Sequence, residues 1–252
     1  MNIDYPSPSQ IPQLRSLWKA AFGDEDDFLD AFYSIAYSPD RCRCLTLDGS
    51  IAAALYWFET SFRGTRFAYI YGVATDPAYR GQGLCRTLMD DARNILKNQG
   101  FDGIILYPAT ENLSRMYAKM GYTHWTTVSE FTCEAAEEAE PLLLVEKEEY
   151  AALRRMLLPE GSLIQEKEDL DLLASLAAFF SGSGILAAVT VMDEKLICHE
   201  LLGSSNAAPR ILRSLGCKSG FFRTPGGEKP FAMGISLTEN CPIPTYLGLP
   251  LD

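Results

Sequence analysis

The feature that most constrains the fold is a change of hydrophobic period at Pro77. The residues from Arg66 to Thr75 are mostly apolar and aromatic, which is typical of a strand. Beyond Pro77 the apolar residues recur at helical spacing as far as Leu96. The chain must therefore place a strand directly before a helix, joined by the turn Ala78-Tyr79-Arg80-Gly81-Gln82-Gly83.

This turn predicts a binding site for an anion. Backbone N–H groups at the start of a helix have no partner within the helix and carry partial positive charge. Gly81 and Gly83 let a ligand oxygen approach the backbone, and Arg80 adds a full charge. A diphosphate suits this combination, although two glycines here can also serve only to join the strand to the helix.

Two other phosphate-binding loops are excluded by residue identity. A Walker loop requires Gly-Lys followed by Ser or Thr, which this turn lacks. The dinucleotide-binding fingerprint requires a glycine where Arg86 stands, if Gly81 and Gly83 are counted as its first two glycines.

The periodicity of the first half predicts the order helix, helix, three strands, helix, strand, helix, strand. The predicted ranges are 11–22, 27–36, 42–47, 51–58, 66–75, 84–96, 101–107, 113–120 and 122–131. A charged, alanine-rich stretch over 134–149 predicts a domain boundary, which divides the chain into residues 1–133 and 134–252. The second half then shows helices over 150–158, 170–180 and 207–215 and strands over 185–191, 195–202, 220–224 and 231–237, a partial repeat of the first order.

Two motifs of the first half resemble those of the GNAT superfamily of N-acetyltransferases. That family carries Gln or Arg, two residues, Gly, one residue, then Gly or Ala between its fourth strand and third helix. The segment Arg80-Gly81-Gln82-Gly83-Leu84-Cys85 is similar to it, with Cys85 at the last position. About thirty residues later, Tyr107 to Tyr122 resembles the second motif, in which a helix ends in Tyr, three residues, Gly and an aromatic; Thr110 stands where many members have Asn.

The resemblance implies an α+β GNAT fold, a mixed and mostly antiparallel sheet flanked by helices. Both motifs are similar to the enhanced-intracellular-survival type, in which a degenerate GNAT-like α+β domain follows the first. Residues 134–252 are then expected to be that second domain, because Gly203-Ser204-Ser205-Asn206 stands in place of the cofactor loop without an arginine or paired glycines.

The resemblance also implies direct transfer of an acetyl group from acetyl-CoA to a primary amine. Backbone N–H groups along Val73, Ala74 and Thr75 are expected to hold the pantetheine arm and polarise the thioester carbonyl. Arg80, Gly81, Gln82, Gly83, Leu84 and Cys85 are expected to wrap the pyrophosphate. Tyr117 aligns with the family's general acid, which protonates the leaving thiolate; the alternative is an aromatic ring packed between helix and sheet.

The general base is less determined by the sequence. Glu59 is the candidate carboxylate, Tyr71 and a chain of water molecules are alternatives, and Glu59 can also be a solvated acid near a hairpin end. The acids Asp24, Glu25, Asp26 and Asp27, between the first two helices, are suited either to attract a cationic acceptor or to cap the helix.

The composition excludes several classes of binding partner. The net charge of -11 disfavours a general affinity for nucleic acid, and no apolar run approaches the ~20 residues that cross a bilayer. Seven cysteines without a C-x-x-C pair, and two histidines, indicate reduced thiols, no metal site and, with no secretory signal at the start, a cytoplasmic protein. The acceptor, a small or peptide amine, is not specified, and a non-catalytic acyl-CoA sensor or an interaction protein, such as a homodimer formed through the second half, is the alternative.

Overall fold

The computed structural model describes residues 1–251. The helices are α1 (Ile11–Phe22), α2 (Asp26–Ala31), α3 (Leu84–Asn98), α4 (Glu111–Ala118), α5 (Lys147–Leu157), α6 (Glu168–Leu176) and α7 (Ala208–Ser214), and a π-helical turn, Phe32–Ala36, extends α2. The strands are β1 (Asn2–Asp4), β2 (Cys42–Leu47), β3 (Ser50–Phe62), β4 (Thr65–Thr75), β5 (Gly103–Leu106), β6 (Thr123–His124), β7 (Thr127–Glu134), β8 (Leu143–Val145), β9 (Ala178–Gly182), β10 (Ile185–Met192), β11 (Lys195–Leu202), β12 (Ser219–Pro225), β13 (Lys229–Pro230) and β14 (Met233–Ser236).

The chain forms two compact units, and each is discontinuous in sequence. The first contains Met1–Thr123 and Met233–Pro242, and the second contains His124–Ala232 and Ile243–Asp252. This division differs from the boundary between residues 133 and 134 that composition suggested. It differs because β7 belongs to the sheet of the second unit, whereas β14 belongs to the sheet of the first.

The first sheet has the strand order β1-β2-β3-β4-β5-β14-β6. The pairs from β1 to β4 are antiparallel, β4 and β5 are parallel, and β5 and β14 are antiparallel, with Met233 opposite Leu106 and Ser236 opposite Gly103. One face packs on α3 and α4 around Leu88, Leu96 and Tyr117. The predicted mixed α+β architecture is confirmed, but the predicted strand over 122–131 is split between β6 and β7.

The second sheet has the order β13-β7-β12-β11-β10-β9-β8. Read from β8, it shows three antiparallel pairs, one parallel pair and two antiparallel pairs. The first sheet shows the same succession from β1 to β14. Phe180, predicted to lie in a helix, lies instead in β9, because the backbone is already extended at Ala177, where α6 ends.

Residues 1–251 contain neither a candidate membrane-spanning helix nor a candidate metal-binding cluster. None of their helices is both long and apolar enough to cross a membrane. Nor does this part of the chain gather three or more side chains of the metal-binding types at one point.

Candidate active site

A bulge interrupts the pairing of β4 with β3 shortly before the glycine-rich turn. Ala54 lies opposite Ala74 and Tyr56 opposite Tyr71, so the single residue between them on β3 faces two residues of β4, Gly72 and Val73. Gly72 adopts the left-handed backbone, with φ of 58°, as glycine does most readily. The recorded pairing of β4 with β5 ends at Ile70 and Leu106. β5 ends at Leu106, whereas β4 continues to Thr75, so Val73, Ala74 and Thr75 lie beyond the paired part of β5, where the backbone of β4 can face a ligand.

The turn after β4 presents free backbone donors at the start of α3. Gly81 and Gly83 have φ of 78° and 81°, and a Cβ atom on either would meet nothing within 4 Å. Both glycines are thus required by backbone conformation and leave the space in front of the turn open. Gly83 is the N-cap of α3, and the first turn of that helix carries no acidic side chain, so its leading N–H groups stay available to an anion.

A cavity of about 560 Å³ lies against this turn. Its walls come from the end of α1, the last residues of β4, the turn with the start of α3, and α4. The lining residues are Ala21, Phe22, Val73, Ala74, Thr75, Tyr79, Arg80, Gly81, Gly83, Leu84, Cys85, Arg86, Leu113, Met116, Tyr117, Lys119 and Met120. Three of them are cationic and none is acidic, although the whole chain carries a net charge of -11. The cavity therefore suits a long ligand with an anionic end and an apolar arm.

Tyr117 lies in the wall of this cavity, on α4. Its side chain is 6% exposed, and its ring packs against Tyr122 with the centroids 5.9 Å apart. Burial raises the pKa of the Tyr117 phenol, and the neighbouring Cys85 and Tyr122 raise it further. The phenol is therefore neutral at physiological pH and is a proton donor rather than an acceptor.

The match to known proteins decides the family of this part of the chain. Residues 2–125 match the family model described as an acetyltransferase (GNAT) domain. The first half of this protein carries a GNAT domain. That prediction is confirmed for the segment that contains β1 to β5, the turn and Tyr117.

A curated relative also matches part of this chain. The mycothiol acetyltransferase of Beutenbergia cavernae is 35% identical over 78 residues, which are 30% of this chain and 25% of that protein. The match thus spans a quarter of the length of the relative.

Solved structures share the fold over nearly the whole chain. A GCN5-related N-acetyltransferase from Anabaena variabilis has a TM-score of 0.72 at 16% identity, covering 94% of this chain and 73% of its own. Eis1 from Mycobacterium abscessus has a TM-score of 0.67 at 11% identity, with 94% and 74% covered. A putative acetyltransferase from Pyrococcus horikoshii has a TM-score of 0.68 at 15% identity, with 98% and 93% covered.

The cavity of the GNAT domain gathers nearly all the residues that the sequence assigned to the cofactor. Val73, Ala74 and Thr75 line it, as do the residues assigned to the pyrophosphate, Arg80 to Cys85, other than Gln82. Burial raises the pKa of the Cys85 thiol to about 11, so a neutral thiol stands where the family has glycine or alanine.

Glu59 is not brought to this cavity. It lies on β3 opposite Ala68, and its carboxylate accepts a hydrogen bond from the Arg66 guanidinium at 2.8 Å. Arg66 also donates to the Gln99 carbonyl at 2.9 Å, at the far end of α3 from the turn. Ala68 precedes Val73 by five residues, or ~16 Å along a strand. The carboxylate therefore has a structural partner, remote from the bulge.

Two of the four acids predicted to lie between the first two helices, Asp24 and Asp26, are engaged in structural contacts. Asp26 forms ion pairs with Arg15 at 3.2 Å and Lys19 at 2.6 Å, and Asp24 accepts a hydrogen bond from the Trp18 indole at 2.7 Å. These contacts favour the structural alternative over attraction of a cationic acceptor.

The residues that form the remaining walls of the cavity were not predicted from the sequence. Leu113, Met116 and Met120 share a helical spacing with Tyr117, so this stripe along α4 could have been predicted from the sequence. Arg86 and Lys119 were not predicted; the Arg86 guanidinium donates to the Lys119 carbonyl at 3.0 Å and so joins α3 to the end of α4. That contact depends on tertiary packing and leaves no local pattern.

Proposed function

We propose that the protein is an N-acetyltransferase that moves an acetyl group from acetyl-CoA directly to a primary amine. The observation that carries the proposal is one cavity lined by Val73 of the β4 bulge, by the glycine turn with Arg80, and by Tyr117 of α4. The GNAT match over residues 2–125 supports it, because that family takes its acyl group from acetyl-CoA.

The cofactor is proposed to lie along β4 with its pyrophosphate at the start of α3. Arg80 and the N–H groups after Gly83 bind the phosphate oxygens. The pantetheine arm runs beside Val73, Ala74 and Thr75 into the opening where β4 and β5 separate. N–H groups at the bulge then polarise the thioester carbonyl and stabilise the oxyanion that forms when the amine attacks.

The transfer requires one proton to be given and one to be taken. The amine nitrogen forms a bond to the carbonyl carbon, and the carbon–sulfur bond breaks to release a thiolate. Tyr117 gives its phenolic proton to that thiolate, and burial keeps the phenol protonated, with its pKa raised, until the thiolate forms. The amine proton passes to a chain of water molecules, directly or through Tyr71 as a relay that gives up its own phenolic proton, and solvent returns a proton to Tyr117. Glu59 is held by Arg66 away from the cavity.

Residues 134–252 are proposed to contain most of a degenerate GNAT-like domain without its own cofactor site. Its sheet has the same succession of pairings as the first, and β11 carries a bulge where Ala188 faces Glu200 and Val189 faces Cys198. Only Gly203 to Ala207 separate β11 from α7, whereas residues 76–83 separate β4 from α3. Glu200, beside the bulge, is buried in an ion pair with Arg154 at 2.6 Å.

A non-catalytic acyl-CoA sensor is the second candidate. Tyr117 belongs to the buried cluster that packs α3 and α4 on the sheet, so its ring also has a purely structural use. A sensor would need the cavity but no proton donor.

The experiment that tests the proposal follows thiol release from acetyl-CoA against a panel of primary amines. The panel contains polyamines, aminoglycosides, free lysine and peptides with a free amino terminus. At least one acceptor is expected to raise thiol release well above the rate without amine, with a matching acetylated product by mass spectrometry. Tight binding of acetyl-CoA without turnover of any amine would favour the sensor.

A further inference from the structure

Trp18 lies directly on the bulge of β4, on the face of the sheet that packs on α1. A Cβ atom placed on Gly72 would lie 2.6 Å from Cζ3 and 2.7 Å from Cη2 of the indole, and 3.0 Å from Cδ2 of Tyr56. Contacts this short leave no room for a side chain. Glycine is therefore required at position 72 for two reasons: the backbone is left-handed there, and the indole ring leaves no space for a side chain.

The indole is held in place from all sides. It is 2% exposed, and ring centroids of Phe32, Tyr56 and Tyr71 lie 4.7 to 5.6 Å from it. Its Nε1 donates to Oδ2 of Asp24 at 2.7 Å. This hydrogen bond is charge-assisted, which makes it stronger than a neutral one.

Asp24 reaches the indole because α1 ends abruptly. Gly23, at the end of the helix, is left-handed with φ of 79°, and it turns the chain back over the last turn. The residues just before it, Ala21 and Phe22, line the cavity, and Val73, just after Gly72, lines it from β4. The indole that Asp24 holds thus connects the end of α1 to the bulge of β4, and residues next to both of these points line the cavity.

We propose that Trp18, fixed by Asp24, is a positioning residue that sets where the bulge of β4 meets the acyl carbonyl. The inference rests on the proposed function, because it assigns the bulge to the thioester. A shift of the indole would move the N–H groups beside Gly72, and misplacement of a catalytic group by about 1 Å can cost on the order of 10²-fold in rate. The pyrophosphate contacts at the start of α3 involve neither residue.

The test compares three substitutions in the full chain. Asp24→Ala removes the acceptor of the indole hydrogen bond. Asp24→Asn removes the charge but keeps an amide oxygen as acceptor. Asp27→Ala removes an exposed acid from the same turn without a contact to Trp18 and is the matched control.

The readout is the ¹³C resonance of acetyl-CoA labelled at its carbonyl, measured free and bound, beside the affinity for coenzyme A. We expect the bound shift of Asp24→Ala to move back toward that of free acetyl-CoA, while Asp24→Asn and Asp27→Ala keep the wild-type shift. The affinity for coenzyme A is expected to stay within about threefold in all of them. With an acceptor from the amine panel, kcat of Asp24→Ala is expected to fall at least tenfold, and Asp24→Asn to restore most of it.

The outcomes separate this inference from the proposed function. If wild type and all variants share one bound shift and one kcat, the positioning role is contradicted while acetyl-CoA binding stands. If the affinity of Asp24→Ala for coenzyme A falls by the same factor as its kcat, Asp24 supports the whole domain, and this result would also overturn the inference. If the wild-type protein binds no acetyl-CoA, the proposed function fails and this inference fails with it.

Discussion

At the scale of single residues, Tyr117 separates an enzyme from a sensor. Its phenol oxygen matters only if a thiolate must be protonated, whereas its ring also packs on Tyr122. Phenylalanine keeps the ring. We expect Tyr117→Phe to lower kcat by on the order of 10²-fold with KM for acetyl-CoA near wild type, the pattern of an interaction made in the transition state.

The measurement is steady-state kinetics with an acceptor from the amine panel. Tyr122→Phe is the matched control, because it removes the neighbouring buried hydroxyl but leaves Tyr117 intact. Equal turnover of Tyr117→Phe and wild type, with chemistry shown to be rate-limiting, would assign Tyr117 to packing alone.

Asp169 gives the second unit a pH-dependent stability. It is 1% exposed, its Oδ1 accepts from the backbone N–H groups of Lys167 and Leu170, and its Oδ2 has no hydrogen-bond partner among residues 1–251. Burial raises the pKa of this carboxyl from 3.8 to about 6. Between these values the folded chain holds a proton that the unfolded chain has released, so the free energy of unfolding falls as pH rises through this window. The loss is ~3 kcal/mol and is constant above it.

Asp169→Asn keeps an acceptor oxygen and removes the charge. We expect the variant to melt at a higher temperature than wild type at pH 7.5 and at nearly the same temperature below pH 4. Asp193→Asn, in an exposed turn, is the control and is expected to show no such pH dependence. A difference between Asp169→Asn and wild type that is independent of pH would contradict the buried charge as its cause.

At the scale of elements, β14 completes the sheet that holds the candidate site. Met233 is 1% exposed, packs in the core with α3 and α4, and accepts a hydrogen bond from Ser114 at 3.4 Å. Residues 1–133 alone would leave the buried edge of β5 unpaired and β7 without its sheet. We expect that fragment to aggregate or to lack a cooperative melting transition.

Joining residues 1–123 to 233–242 through a Gly/Ser linker of about ten residues, which spans up to ~33 Å, should restore the sheet. Circular dichroism melting and titration with acetyl-CoA measure both fragments. A fragment of residues 1–133 that melts cooperatively and binds as the full chain does would show that β14 is dispensable.

The sheet to which β14 belongs could not be predicted from the sequence, because a strand pattern does not indicate which sheet the strand joins. The order of helices and strands in the first unit followed from period and turn residues, with α3 beginning after Gly83 as predicted. The strand over 122–131 and the one over 231–237 both show ordinary strand patterns, and only their long-range pairing assigns β7 and β14 to different sheets. Glu59 illustrates the same limit, since its partner Arg66 is set by the register of β3 with β4.

At the scale of the whole molecule, we expect the chain to have one acetyl-CoA site. The cavity of the first unit carries Arg80, Arg86 and Lys119 on its walls, while the corresponding turn of the second unit has neither an arginine nor paired glycines. Titration of the full chain is therefore expected to show a single binding event.

The most direct measurement is calorimetric titration of acetyl-CoA into wild type, Arg80→Ala and Lys97→Ala, the last changing an exposed cation at the other end of α3. Wild type and Lys97→Ala are expected to bind one acetyl-CoA per chain with equal affinity. Arg80→Ala is expected to keep its melting temperature but to bind roughly 10- to 150-fold more weakly, since it loses a charge-assisted contact of ~1.5 to 3 kcal/mol. Unchanged affinity in Arg80→Ala, or two acetyl-CoA molecules bound per chain, would contradict the account.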